Sequence, residues 1–459
     1  MSTRALREEL ERIAAAAPVA DVPAGTWARA QRARRRDRVA TLAAVAAAVA
    51  VVAGLVTWLP GRSAPPVASG APTARAGVPA YVWSVPERLT VQRSDGSWSS
   101  DRVETDLAVG RGAVAYVTPG GLPVVVGAAN GAYHLLDLPG FLGGSALGSG
   151  SEVGLALSPD GHRLAYAWAG PAPRSDAVPM PSGIRVVDLG TGDVRTIRLV
   201  GGRGIRVSSI GWSPGGTWLA WSGGVTRYWT TTSWTAHGST TGRVAPGSAT
   251  SQRVPDGRGE PVVSIADDGT VTLLDGRRAT TWDGRVLGQH RSTGPSPVSA
   301  AATSPSGHRV VFGATAEAGA IPSLDTTTGR LSTHRYLADL YPQGASSRPL
   351  GWVDDHLLAA LVTPVAAADA PAPEPQVVVT TPRRGRGSTY RIVGRTDPAV
   401  PDSLSVAVDL MTLARPTVER PEPRWPWSDE RKAVVGGIAA LVVLGGGVGV
   451  LRWRRRRLA

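Results

Sequence analysis

The residues able to do chemistry are few, and their spacing decides how to read them. The chain has seven histidines and no cysteine. That excludes disulfides, thiolate nucleophiles and cysteine-held zinc or iron–sulfur centres. His162 and His308 stand at the same place in two similar stretches, Ser158-Pro159-Asp160-Gly161-His162-Arg163 and Ser304-Pro305-Ser306-Gly307-His308-Arg309. A residue that repeats with its surroundings belongs to architecture, so both are read as turn histidines. His356 follows Asp354 and Asp355 at a turn of the same kind. No nucleophile elbow, zinc-binding helix motif or phosphate loop occurs. The reading is therefore no catalytic residue, no metal and no cofactor. Trp218, Trp221, Trp229 and Trp234 crowd one Thr- and Ser-rich segment. Such rings either pack inside a unit or form a rim that stacks on a glycan or a partner.

The elements that must carry these residues repeat. Leu157 to Tyr166 is echoed by Trp212 to Trp221 and by Thr303 to Phe312. Each copy is an apolar strand, a Ser-Pro-x-Gly turn and an alternating strand. Pro pre-sets φ at the second turn position, and Gly accepts the positive φ that closes the turn. Asp188-Leu189-Gly190-Thr191-Gly192 and Asp325-Thr326-Thr327-Thr328-Gly329 follow two of the copies and read as outer hairpins of the same unit. The aromatic ends of the second strands, Tyr116, Tyr166, Trp221 and Phe312, are 50, 55 and 91 residues apart, so a degenerate copy falls between the last two, at Pro255-Asp256-Gly257 and Pro261-Val262-Val263-Ser264. Further marks are Leu357-Leu358-Ala359-Ala360 and Ser405-Val406-Ala407-Val408. Seven marks averaging about 49 residues apart predict four-stranded propeller blades. The expectation is an all-β propeller of seven blades, with six as the alternative. The segment Tyr81 to Arg93 would complete the last blade and pair away its free edge.

The Ser-Pro-Asp-Gly turn followed by Leu-Ala-Tyr resembles the WD40-like repeats of TolB-type bacterial β-propellers. The copies at Ser213 and Ser304 depart from that pattern at the Asp. The resemblance covers about residues 100–410 and implies a propeller without implying an activity, since this fold hosts many.

Two uncharged apolar runs flank the repeats. Residues 39–59 follow Arg29, Arg32, Arg34, Arg35, Arg36 and Arg38, and residues 433–451 precede Arg452 and Arg454 to Arg457. Each is long enough to cross a bilayer as a helix, and Trp425, Trp427 and Trp453 suit its interfaces. The positive-inside rule then puts both ends in the cytoplasm and the repeats outside. The formal charge of +13 lies largely in these ends: +4 in residues 1–38 and +5 in the last eight. Nucleic-acid binding is accordingly not expected. The expected organisation is a basic cytoplasmic segment over 1–38 with a short amphipathic helix carrying Leu6, Leu10 and Ile13, a span over 39–59, a Pro/Ala/Gly-rich spacer over 60–78, the propeller over 79–415, a Pro-rich linker over 416–432, a span over 433–451 and an Arg-rich tail over 452–459. Gly445 and Gly449 form a small-residue pair that suits weak helix dimerisation. The leading functional reading is a non-enzymatic scaffold of the cell membrane that binds an envelope protein or a cell-wall ligand. A transmembrane regulator resembling an anti-sigma factor in layout is the alternative, and a propeller hydrolase the third.

Overall fold

The computed structural model describes residues 75–92, 98, 100–142, 154–170, 180–201, 204–229, 234–255, 261–275, 278–291, 300–314, 321–334, 340–341, 344–366, 373–382, 389–400, 403–412 and 414–425, with a few positions in the first 31. The chain divides into two compact units, one of residues 64–425 and one of residues 1–63 with 426–459. The predicted spans 39–59 and 433–451, with Gly445 and Gly449, lie outside the described residues. Among those that are described, no helix is long and apolar enough to cross a membrane. Arg7, Glu8, Glu11, Arg12 and Ala15 of the expected amphipathic helix are helical.

The larger unit is a β-propeller of six blades. In chain order the second blade comprises Leu155–Leu157, Arg163–Ala169, Ser182–Asp188 and Val194–Ile197. The third comprises Ile205–Trp212, Leu219–Trp229, Trp234–Val244 and Gln252–Arg253, and the fourth Val262–Ile265, Val271–Leu274, Arg278–Trp282 and Leu287–Arg291. The fifth comprises Ala301–Thr303, Arg309–Phe312, Ile321–Asp325 and Leu331–His334. Within each of these four blades the strands pair antiparallel in sequence order, and the first strand of each lies innermost.

The first and sixth blades are built from both ends of the unit. The first holds Gly112–Val117, Pro123–Gly127 and Tyr133–Leu136, and takes its innermost strand, Ser405–Val406, from near the end of the unit. The sixth holds Ala345–Trp352, Leu358–Pro364, Gln376–Thr380 and Tyr390–Thr396. Tyr81–Val82 pairs parallel on its outer edge, with Tyr81 opposite Arg395. A second parallel addition, Val103–Glu104, covers the outer edge of the first blade. This corrects the expected count of seven. The mark at Ser405 is the missing inner strand of the first blade, where Val406 faces Val114, and it starts no unit of its own. The N-terminal segment does join the last blade, as an added outer strand.

Strand period explains the core. On the second strand of the second blade, Leu164 and Tyr166 pack against the first blade while Ala165 and Ala167 pack against the third. Tyr116, Trp221 and Phe312 likewise pack toward the preceding blade, and all four aromatics are at most 1% exposed. A large ring on one face and a small residue on the other let wedge-shaped sheets close-pack around an axis. One apolar cluster fills each of the six interfaces between adjacent blades. Truncating such a ring to Ala would cost about 3–5 kcal/mol.

Both domain boundaries lie further out than the composition indicates. Gly77 donates to the Ala128 carbonyl at 3.1 Å, Val78 is 1% exposed, and Val418 donates to the Val78 carbonyl at 2.7 Å. Trp425 packs edge-on against Tyr133 at 5.4 Å. The last residues of the spacer and most of the Pro-rich linker are thus parts of the propeller.

Candidate functional site

The innermost strands form a closed cycle around the axis, and side chains stitch neighbours together there. The Trp212 indole N–H donates to the Ala156 carbonyl of the preceding blade at 3.0 Å, and Trp352 does the same to Ala302 at 3.0 Å. Ser405 Oγ accepts from the Leu157 N–H at 3.0 Å, and Thr303 Oγ1 donates to Ser264 Oγ at 2.9 Å. These bonds satisfy polar groups at the one place where six strand edges converge. A cavity of about 120 Å³ lies among the inner strands, lined mainly by apolar residues with Arg348 as the charged lining residue. That volume admits only a few heavy atoms. The paired Gly-Trp at 211–212 and 351–352 was the sequence signal for this ring, and repeat matching on the Ser-Pro turns passes over it.

The turns joining first and second strands gather on one face. In the second blade Gly161, at φ +76°, donates to the Ser158 carbonyl at 2.8 Å, and buried Ser158 Oγ accepts the Arg163 N–H at 2.9 Å while donating to Asp160 at 2.5 Å. Ser213 and Ser304 accept the corresponding N–H groups of Trp218 and Arg309. The Ser therefore caps the turn in all three copies. Adjacent turns also bond to one another. Gly215 N–H meets Asp267 Oδ1 at 2.8 Å, and Ser306 N–H meets Asp355 Oδ1 at 2.8 Å. The Ser306 N–H and hydroxyl hold Asp355 below the ordinary carboxylate range. Asp409 goes the other way. Desolvation lifts its pKa, Asp160 and Asp267 add to the rise, and Arg111 opposes it, although the residue as a whole is exposed.

His162, His308 and His356 are exposed on this face. Among the described residues no three metal-ligating side chains come together.

The four tryptophans do not form one rim. Trp221 is wholly buried in the interface between second and third blades. Trp218 is half-buried and lies under the Arg243 guanidinium, which also stacks on Trp282 of the fourth blade, at 5.0 and 4.6 Å. Arg243 further donates to the Gly269 carbonyl and to Gln252 Oε1. Arg163 lies 4.9 Å from the Trp212 ring in the same manner, bridging second and third blades. Each such stack adds roughly 0.5–2 kcal/mol to blade cohesion. Trp229 and Trp234 are elsewhere, directly opposite each other near the end of the long third-blade hairpin. The Arg–Trp partnership across blades was invisible in the sequence because Arg243 and Trp282 lie in different repeats.

No family model matches the chain, and no curated protein matches it. Solved structures are similar at the level of fold. Hydrazine synthase of Kuenenia stuttgartiensis is 16% identical over 56% of this chain, which spans 66% of that one, with a TM-score of 0.34. An oligogalacturonate lyase in complex with manganese is 16% identical over 60% of this chain and 70% of its own, with a TM-score of 0.36. A chain of a mitotic checkpoint complex is 13% identical over 56% and 82%, with a TM-score of 0.34. Likeness at this level carries no functional argument.

Proposed function

We propose that the protein is a membrane-tethered extracytoplasmic propeller that acts as a binding scaffold in the bacterial envelope, related to the WD40-like, TolB-type repeats. The observation that supports this reading is where the propeller begins and ends. Arg420 Nη2 donates to the Arg75 carbonyl at 3.0 Å and to the Ala128 carbonyl at 3.0 Å, and Pro79 bridges Val418 in parallel. A domain whose two ends lie side by side can be tied to one membrane by both flanks without strain on its sheet. The flanks carry the apolar runs 39–59 and 433–451 with Arg clusters on their outer sides, the pattern of two spans with cytoplasmic termini. A reporter active only outside the cytoplasm tests it. Inserted between Arg62 and Pro72, it should be active; fused after Ala459, it should be silent. Activity at the C-terminal fusion, or silence at the insertion, overturns the topology.

A further inference from the structure

The seam between the sixth and first blades is held differently from the other five. Its closing strand is the short Ser405–Val406, opposite Ala115 and Val114. Ala407 N–H extends it to the Ala113 carbonyl at 2.9 Å, and Ser403 Oγ accepts the Val117 N–H at 2.8 Å. Leu404, Val406, Val408 and Met411 are at most 4% exposed in the apolar cluster of this seam, where Val78, Val82, Val85 and Leu89 are also buried. Residues 416–425 then run from the sixth blade to the first. Thr417 Oγ1 donates to the Val393 carbonyl of the sixth blade at 2.6 Å. Val418 N–H donates to the Val78 carbonyl at 2.7 Å, and Ala80 N–H donates to the Val418 carbonyl at 2.9 Å. Arg420 Nη2 reaches the Ala128 and Ala129 carbonyls of the first blade at 3.0 and 3.1 Å, and Trp425 rests on Tyr133. No residue from 416 to 425 is buried.

We propose that residues 416–425 are a releasable clamp across this seam, which undocks ahead of the ring and takes up pull on the C-terminal flank before it reaches the closing strand. Chain order sets the sequence of events. Load entering beyond Trp425 meets the ring contact with Tyr133, then Arg420, then Val418, and only afterwards Met411 and Val406. The clamp is held by hydrogen bonds and a ring contact at half-exposed positions, where water replaces each bond that breaks. Freeing Val406 and Val408 instead exposes apolar surface packed between blades, a far larger cost. The weakly buried element therefore opens before the core does. The tethered reading above supplies the load, and the clamp rests on it for that alone.

Single-molecule pulling on the full-length protein in detergent tests the clamp and applies the load directly. The chain has no cysteine, so handles on Thr73→Cys and Ser428→Cys attach at those two points alone. The protein should yield in two steps. The first should lengthen the chain by about 35 Å, which is ten residues at about 3.5 Å, and should reverse when the force drops. The second, at higher force, is the ring. R420A should speed the first step at least about tenfold at a given force, the scale of one lost hydrogen bond to a charged group, and leave the second unchanged. T417V should speed the first step less, and it gives the same comparison if R420A does not fold. A single step carrying the whole length overturns the clamp. So does a first step of about 80 Å, because residues 403–425 would then leave together with the closing strand. Variants that leave the first step unchanged, or that shift both steps equally, overturn it as well. The load comes from the instrument, so a failed reporter assay leaves this result standing, and the reverse.

Discussion

The second and fourth blades solve the same problem with different residues. Both need a tight reversal between first and second strands on the same face of the propeller. In the second blade the turn is Ser158-Pro159-Asp160-Gly161, with the Ser hydroxyl capping Arg163 N–H and the Asp bonding Ser158 and the His162 N–H. In the fourth it is Ala266-Asp267-Asp268-Gly269. Asp268 Oδ1 takes the Thr270 N–H at 2.7 Å, and Asp267 reaches across to the third blade. What they share is backbone: Gly161 donates to Ser158 O at 2.8 Å, Gly269 donates to Ala266 O at 2.9 Å, and both glycines have positive φ, +76° and +83°. The fold demands the turn, and several side-chain sets supply it.

The largest expected effect strikes that shared backbone. In G161V a Cβ would fall against the Gly112 carbonyl oxygen of the first blade, on top of the cost of a β-branched residue at positive φ. In G269V the Cβ would meet the Trp218 ring at 2.8 Å, a half-buried side chain rather than a backbone carbonyl. Both variants should be destabilised, G161V by about 3 kcal/mol or more and G269V by roughly 1–3 kcal/mol. Thermal melts of the two purified variants compare them. Equal losses would mean that the backbone clash adds nothing to the strain.

The same contrast sets what can be read from sequence. The second blade announces itself because its turn chemistry and its Leu-Ala-Tyr strand are both local. Tyr116, Tyr166, Trp221 and Phe312 were legible as second-strand residues for that reason, and all are core. The fourth blade was placed only by spacing, since Ala266 and the Asp pair carry no pattern. Blade count failed at Ser405 because strand pattern says nothing about partner: Ser405–Val406 reads the same whether it opens a seventh sheet or completes the first one some 290 residues away. The Trp cluster was legible as a composition and not as a place. Trp218 and Trp221 turn inward on the blade, whereas Trp229 and Trp234 lie past its last pairing with the inner strand. Register, which sequence does not print, separates the two pairs.

A smaller effect separates the two caps. Ser158→Ala removes the acceptor for the Arg163 N–H and leaves it without that bond in a half-buried turn, which should cost about 1–2 kcal/mol. Asp267→Ala removes the acceptor for the Gly215 N–H in an exposed turn, where water can replace it, and should cost under about 1 kcal/mol. Urea midpoints at constant slope would rank them. The reverse order would mean that the bond between turns holds the ring more firmly than the cap within a turn.

The smallest effect depends on pH. Burial works to raise the Asp160 carboxyl, but the Ser158 hydroxyl and the His162 N–H, aided by Arg163 and His162, more than offset it and leave the pKa below its ordinary value. A carboxylate with a lowered pKa in the folded state contributes stability that is fully present above its unfolded pKa. That contribution is lost as pH falls through the folded value. Asp160→Asn keeps the shape and removes the charge, so it should cost about 1 kcal/mol or less at neutral pH. The gap to wild type should close as pH drops below about 4, where the unfolded carboxyl takes up its proton. Fourth-blade Asp267→Asn serves as the reference, because its carboxylate accepts from a neighbouring blade with no serine cap beside it. Chemical denaturation of wild type and both variants between pH 7 and pH 3 makes the comparison. A gap for Asp160→Asn that stays constant over that range would show that its cost is steric, and that the short Ser158–Asp160 bond does not favour the charged carboxylate.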